Sequence, residues 1–193
     1  MIRPLLLSVL ALAAVPLRAA SEEILLPEFP QPPLVLDGGA PKNISSLRLL
    51  RELQRSGITG MDNFDTFDRD YALFQGQSLG TMAAWLESAC RSLNFEISQA
   101  RKQAYDGALF SRMLNMSASL ASLRKGTIDM AMPIGGLHCR RETAWGALPG
   151  DGKDEVYVLF ATDQGLLIYD PPTRQLARLA DFPNKAHILK IWF

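Results

Sequence analysis

The sequence has no net charge and holds very little histidine or cysteine. Its 193 residues include 20 Lys and Arg, 20 Asp and Glu, two His and two Cys. Nucleic-acid binding needs clustered excess positive charge, so we expect no nucleic-acid partner. A zinc site needs three or four nitrogen or sulfur ligands at workable spacing, which two His and two Cys scarcely provide. We therefore expect no metal site. We also expect no cofactor.

No apolar run reaches the length of about 20 residues that a membrane-spanning helix needs. One shorter run, residues 5–17, follows a single positive charge at Arg3 and precedes the small residues Ala19 and Ala20. A charged start, a short apolar stretch and a small-residue exit are the parts of a secretory signal peptide. We therefore expect residues 1–20 to be a signal peptide. The mature chain would then be exported, periplasmic or extracellular, with no membrane span after removal of the signal.

Cys90 and Cys139 are the only cysteines. In an oxidising compartment an isolated pair tends to form a disulfide, so export predicts a Cys90–Cys139 bond. The bond would close a loop of about 50 residues and stabilise the fold by roughly 4 kcal/mol in the chain-entropy model. Two buried free thiols, or one catalytic thiol, are the alternatives that the sequence leaves open.

About 170 residues would remain after cleavage of the leader, which suits one domain with a hydrophobic core. Residues 21–43 contain several prolines and no periodic pattern, so they predict an extended, proline-rich arm. The arm either lies over the domain or leads away from the envelope. Residues 44–193 predict a single domain, because no internal repeat or low-complexity tract divides them.

Three helices are predicted in the first part of this domain. They run from about residue 46 to 56, from a cap at Ser78 to about 93, and from a cap at Asp106 through 107–125. The third helix has apolar residues around a wide face, and we predict that it is the central helix of the domain. These apolar residues are Leu109, Phe110, Met113, Leu114, Met116, Leu120 and Leu123.

The apolar pattern then changes to the period of two that is typical of strands. The predicted strands are 95–99, one bent strand over 128–141, and 156–161, 166–169, 175–179 and 188–193. The last four would form an antiparallel meander. Helices first and strands last predict an α+β fold, with N-terminal helices and a central helix packed on a C-terminal antiparallel sheet.

The order of two short motifs points to a family. Tyr105-Asp106-Gly107 opens the third helix, and the chain later reads Asp170-Pro-Pro-Thr. This order resembles the papain-like cysteine peptidase domain at the C-terminus of a mushroom agglutinin and in related bacterial domains. The resemblance implies a papain-like core with a cysteine at the head of the central helix, where the helix dipole lowers the thiol pKa. It also implies a His on the next core strand and an acidic turn that orients that His.

Two of the three catalytic roles that the resemblance implies are empty in this chain. Gly107 stands where the family has its nucleophile, and the strand beginning at Asp154 and Glu155 carries no His. Without a nucleophile the peptidase mechanism cannot run. The resemblance therefore implies a ligand-binding surface without peptidase activity. Its residues would be Tyr105, Asp106, Gly107, Asp154, Glu155 and Asp170.

The sequence thus favours an exported, non-catalytic domain on a degenerate papain-like scaffold that binds a protein or envelope ligand. One alternative is an exported cysteine-dependent hydrolase with a relocated site. In that alternative Cys139 or His138 would act, with Asp154, Glu155 or Asp170 as the orienting acid. The other alternative is a structural or assembly factor of the cell envelope.

Overall fold

A computed structural model describes residues 28–58, 64–66, 70–76, 78–94, 107–124, 126 and 130–193. The predicted signal peptide, the predicted strand 95–99 and the residues Tyr105 and Asp106 lie outside the described residues. The helices of the described part are α1 (Ser46–Arg55), α2 (Leu79–Ser92) and α3 (Gly107–Arg124). None of them is both long enough and apolar enough to cross a membrane.

The strands of the described part form one large sheet and two small ones. In chain order they are β1 (Leu36–Asp37), β2 (Ala40–Pro41), β3 (Asn43–Ser45), β4 (Phe64–Asp65), β5 (Asp70–Ala72), β6 (Ile134–Arg140), β7 (Asp154–Thr162), β8 (Gly165–Asp170), β9 (Gln175–Arg178) and β10 (Ile188–Trp192). The large sheet has the order β4-β10-β6-β7-β8-β9. The three helices of the described part and this sheet, most of whose strands are C-terminal, give the predicted α+β fold.

The large sheet differs from the predicted meander at one edge. Strands β6 to β9 are antiparallel neighbours in chain order, but β10 returns to pair with β6, and β4 joins β10 in parallel. The sheet is therefore mixed and not purely antiparallel. The return path runs through two short 3₁₀ turns, Leu179–Asp181 and Lys185–His187, between which Phe182 is buried. The buried side chains of Leu179, Phe182 and Asn184 anchor this connection as it returns across one face of the sheet.

Local capping chemistry places the helices where the sequence predicts them. The Ser45 hydroxyl accepts a hydrogen bond from the Arg48 amide at 3.3 Å, and the Ser78 hydroxyl accepts one from the Thr81 amide at 3.3 Å. These contacts satisfy amide groups that have no partner within the first turn of a helix. Gly57 follows α1 with a φ of +87°, which only glycine adopts without strain.

The large sheet is buried on both faces. Because side chains alternate along a strand, successive residues of β7 and β8 enter two separate clusters. The helix face, covered by α2 and α3, includes Phe74, Trp85, Phe110, Leu114, Val158, Phe160 and Tyr169. The opposite face, covered by α1 and the 179–187 connection, includes Leu49, Leu53, Cys139, Tyr157, Leu159, Ile168 and Phe182.

The described part of the proline-rich arm lies over the domain, which is one of the two predicted alternatives. The Trp85 indole donates a hydrogen bond to the Pro30 carbonyl at 3.1 Å, and the Val35 amide donates to Leu73 at 2.9 Å. The Phe29 ring meets the Trp85 ring edge to face at 6.3 Å. Residues 28–43 are thus held on the surface by both backbone and aromatic contacts.

The predicted Cys90–Cys139 disulfide is wrong, because both residues are free, buried thiols in the structure. Cys90 lies on the helix face, where its sulfur is 3.7 Å from the Tyr169 hydroxyl. Cys139 lies on the opposite face of the sheet. The sheet separates the two side chains, so the alternative of two buried free thiols describes the structure.

Candidate interaction surface

Gly107 is locked into the packing between α3 and β7. A Cβ atom at this position would overlap the carbonyl oxygen of Val156 and lie 2.9 Å from the Val156 Cβ. The first turn of α3 can approach the strand this closely only because glycine has no side chain. The position that the family resemblance assigns to a nucleophile is therefore filled by backbone and cannot hold a ligand.

Asp170 lies on the other side of the sheet from Gly107. Tyr169 points to the helix face, so the next residue, Asp170, points to the opposite face, where it is buried. Its carboxylate accepts a hydrogen bond from the Thr173 hydroxyl, and burial raises the pKa of the carboxyl. The structure does not bring together the residues that the resemblance places in one site.

Asp154 and Glu155 are also separated, because they are successive residues of β7. Asp154 is half-exposed, 3.5 Å from the Nε2 of His138 and 3.4 Å from the Nε of Arg140. Glu155 is on the opposite face, 3.3 Å from the Nη1 of Arg141. Burial raises the pKa of the Glu155 carboxyl, and the Arg141 charge partly offsets this effect.

The side chains that would form the relocated hydrolase site do not lie together in the described part of the chain. His138 and Asp154 pair on one face of the sheet, whereas Cys139 is fully buried on the other. Burial raises the pKa of Cys139 to about 12, so its thiol stays protonated at neutral pH. A protonated thiol is a poor nucleophile, and the neighbouring histidine cannot reach it through the strand.

A buried arginine holds the loop that follows β6. Arg141 donates from Nε and Nη2 to the two carboxylate oxygens of Asp151, at 3.2 and 3.0 Å. Its backbone carbonyl accepts hydrogen bonds from the amides of Asp151 and Gly152. Glu155 and Asp170 supply further negative charge around the guanidinium. We interpret this cluster as structural, since every contact described for it is internal.

The outer side of α3 carries a narrow apolar stripe, which we name the α3 seam. Its members recur in steps of four, three, four and three residues, so they fall within about 80° of one another around the helix. They span about 21 Å of its length. Their exposed fractions are Leu109 55%, Met113 38%, Met116 60%, Leu120 49% and Leu123 59%.

The α3 seam lies on roughly the other side of the helix from the residues that pack on the sheet. The inner side consists of Phe110, Leu114, Ala118 and Ala121, all buried. The prediction of one wide apolar face was therefore wrong for five of its seven residues. The signal in the sequence is the average spacing of 3.5 residues between the seam residues, which is typical of helix-to-helix contacts but does not say which stripe packs on the sheet.

A cavity of about 190 Å³ opens beside the α3 seam, between α3 and β10. Met116 belongs to both features, and the cavity walls also include Arg112, Asn115 and Trp192. The Asn115 side-chain amide donates a hydrogen bond to the Ile134 carbonyl at 2.6 Å, which joins α3 to β6 at the wall of the cavity. An apolar cavity of about 150 Å³ can hold a benzene ring, so this one can accept a single side chain.

A second cleft, of about 320 Å³, lies between α1 and the turn that joins β7 to β8. Both of its acidic side chains already have partners. The Glu52 carboxylate is 2.6 Å from the Nη1 of Arg55, and Asp163 accepts a hydrogen bond from the Gly76 amide at 2.7 Å. The cleft is open and mixed in charge, and it offers no apolar anchor comparable to that of the α3 seam.

No protein-family model matches the chain, and no curated protein matches it.

Proposed function

We propose that this protein is an exported, non-catalytic domain that binds a helix of a partner protein along the α3 seam. The observation that carries the proposal is the seam itself, because monomeric proteins rarely leave such a contiguous row of large apolar side chains in water. A spacing of alternating four and three residues matches the contact surface of a second helix. The partner, like this chain, would be periplasmic or extracellular.

The chemistry of the seam residues supports a protein partner. Leu and Met fill the seam, and Met adapts its flexible side chain to the shape of whatever packs on it. The cavity beside Met116 supplies a pocket for one anchoring side chain, and Trp192 forms part of its wall. Interfaces draw most of their binding energy from a few such anchors.

The proposed domain has no catalytic activity. Gly107 has no room for a side chain, and Asp170 lies across the sheet from it. Cys139 and His138 point to opposite faces of β6. We retain the degenerate papain-like scaffold as part of the proposal, supported by the order of a central helix followed by core strands and by the Asp170 turn.

Binding to a designed helix tests the proposal. The probe is a 21-residue peptide with Leu at alternating four- and three-residue steps and uncharged polar residues elsewhere. We expect a dissociation constant in the micromolar range, and an at least tenfold loss with Leu123→Glu. The matched control is Leu47→Glu, because Leu47 on α1 is also 59% exposed but lies outside the seam. It should bind as the unsubstituted protein does.

Two results would overturn the proposal. One is the lack of any binding of this peptide at 1 mM, a concentration chosen well above the expected affinity. The other is an equal loss of binding with Leu47→Glu and Leu123→Glu. Cell fractionation tests export separately, since the proposed mature protein must appear outside the cytoplasm with residues 1–20 removed.

A further inference from the structure

Two arginines border the α3 seam, one on each side. Arg112 precedes Met113 and Arg124 follows Leu123, so their side chains leave the helix about 60° to either side of the seam. They are about 18 Å apart along the helix axis. Residues 107–124 contain no Asp or Glu. The exposed surface of α3 is therefore apolar along its centre and positive at both borders.

Neither arginine has an acidic partner in the part of the chain that the structure describes. The arginines of other elements show that such pairs form where acids are near. Arg91 on α2 lies 3.7 Å from the Glu87 carboxylate, and Arg141 contacts Asp151 at 3.0 Å. The charges of Arg112 and Arg124 are thus available to a molecule that docks on the seam.

We infer that the partner helix is acidic, with an apolar seam of its own and Asp or Glu side chains at both borders. This inference rests on the proposed function. In paired helices, the residues that flank the apolar seam decide which partner is accepted, through attraction of opposite charges and repulsion of like charges. Arg112 and Arg124 occupy these flanking positions.

The same charges disfavour a second copy of this chain as the occupant. A second α3 would bring an apolar seam but no carboxylate, and its only charged flanking groups in the described range would again be arginines. An anionic bilayer would supply negative charge. The α3 seam contains no Trp, Tyr or Phe, however, and helices that lie in membrane interfaces commonly carry such rings on their apolar face.

The cavity fixes where the acidic helix meets the seam most closely. Arg112 forms part of its wall together with Met116 and Trp192. An apolar side chain of the partner that enters the cavity would place the neighbouring flanking residue of its helix beside the Arg112 guanidinium. One anchor and one charge pair at the same point would set the register of the two helices.

Three peptides that differ only in their flanking residues test the inference. They share one Leu seam and carry Glu, Ser or Lys at the flanking positions. Exposed charge pairs each change affinity by only a few fold, so we expect the Glu peptide to bind about tenfold more tightly than the Ser peptide. The Lys peptide should bind least tightly. Raising NaCl to about 0.5 M should close most of the gap, because salt screens rim charges.

The double variant Arg112→Gln plus Arg124→Gln should bind all three peptides alike, at the affinity of the unsubstituted protein for the Ser peptide. Arg51→Gln, on the exposed side of α1, is the matched control and should keep the preference for Glu. Equal binding of the three peptides to the unsubstituted protein would overturn the inference and leave the proposed function standing. Failure of every peptide to bind would overturn both.

Two further measurements test whether a membrane surface or a second copy of this chain occupies the α3 seam instead. Stronger binding to vesicles of phosphatidylglycerol than to the Glu peptide would overturn the inference in favour of a membrane surface. A dimer in sedimentation equilibrium that Leu120→Glu dissociates would overturn it in favour of a second copy. A monomer that ignores the vesicles and selects the Glu peptide supports it.

Discussion

Arg141 holds Asp151 with two parallel hydrogen bonds, of 3.2 and 3.0 Å, from a position that is only 6% exposed. The pair closes the loop between β6 and β7, and the same guanidinium lies 3.3 Å from Glu155. A buried arginine that neutralises several carboxylates cannot be removed without leaving them uncompensated. This relationship allows the contribution of the cluster to stability to be measured.

We expect Arg141→Ala to lower the free energy of unfolding by about 3 kcal/mol, because Glu155 and the buried Asp170 would lose the cation that offsets their charge. Chemical denaturation of the variant measures the loss. Arg140→Ala is the control, since Arg140 is half-exposed and its pair with Asp154 should contribute no more than about 1 kcal/mol. Equal losses in the two variants would contradict a special role for Arg141.

The Arg141–Asp151 pair should also make the free energy of unfolding fall as the pH becomes acidic. The Arg141 hydrogen bonds lower the pKa of Asp151 to about 2, from the ordinary value near 4. A carboxyl with a depressed pKa in the folded state stabilises the fold above its unfolded pKa, and loses that contribution as the pH falls through the folded value. Stability measured from pH 5 to pH 2 should therefore drop, and the drop should be smaller in Asp151→Asn.

Asp170 should have the opposite effect on stability, because its contribution to the free energy of unfolding should fall as the pH rises. Burial raises its pKa, so ionisation opposes folding as the pH rises from the ordinary value towards the raised one. In Asp170→Asn this part of the pH dependence should disappear, while the fall at acidic pH due to Asp151 remains. If the free energy of unfolding of Asp170→Asn and of the unsubstituted protein changed in parallel over the whole pH range, the assigned pKa direction would be ruled out.

Gly107→Ala should destabilise the domain by about 1–3 kcal/mol, because the added methyl group must displace α3 from Val156. Gly80→Ala provides the contrast. Gly80 also lies in the first turn of a helix, but a Cβ atom added there would meet only the Ser78 hydroxyl, at 3.4 Å. Alanine favours helix more than glycine does, so Gly80→Ala should be neutral or stabilising by up to about 1 kcal/mol. Thermal unfolding of both variants checks the difference.

The two sides of α3 should respond differently to truncation. Leu114→Ala removes a fully buried side chain and should lower the free energy of unfolding by about 2–5 kcal/mol. Leu120→Ala, on the half-exposed α3 seam, should change it by no more than about 0.5 kcal/mol. A large loss at Leu120 would mean that the seam is covered by the chain itself.

Both cysteines should be reduced in the purified protein. Alkylation after unfolding without reductant should label two thiols per chain, since Cys90 and Cys139 are free and lie on opposite faces of the sheet. Neither should react quickly in the folded state, because burial raises the pKa of each thiol. Recovery of no labelled thiol would show that a disulfide forms after all.

The elements with local signals could be predicted from the sequence. Ser78 followed by an amphipathic stretch placed α2, and the Thr162–Gly165 turn placed the β7–β8 hairpin, because capping and turn chemistry depend on near neighbours. The residues of β10 could be predicted, but its neighbours in the sheet could not, since its pairing with β6 is decided by packing across a long connection. The seam was missed for a related reason: apolar spacing predicts a helix but does not tell which stripe the sheet will cover.

The placement of β10 between β4 and β6 has a consequence for the order of events during synthesis. Strand β10 alone connects β4 to the rest of the large sheet. The β6–β9 meander can form before β10 is synthesised, but β4 can join the large sheet only after Ile188–Trp192 have left the ribosome, so its attachment is a late step of folding.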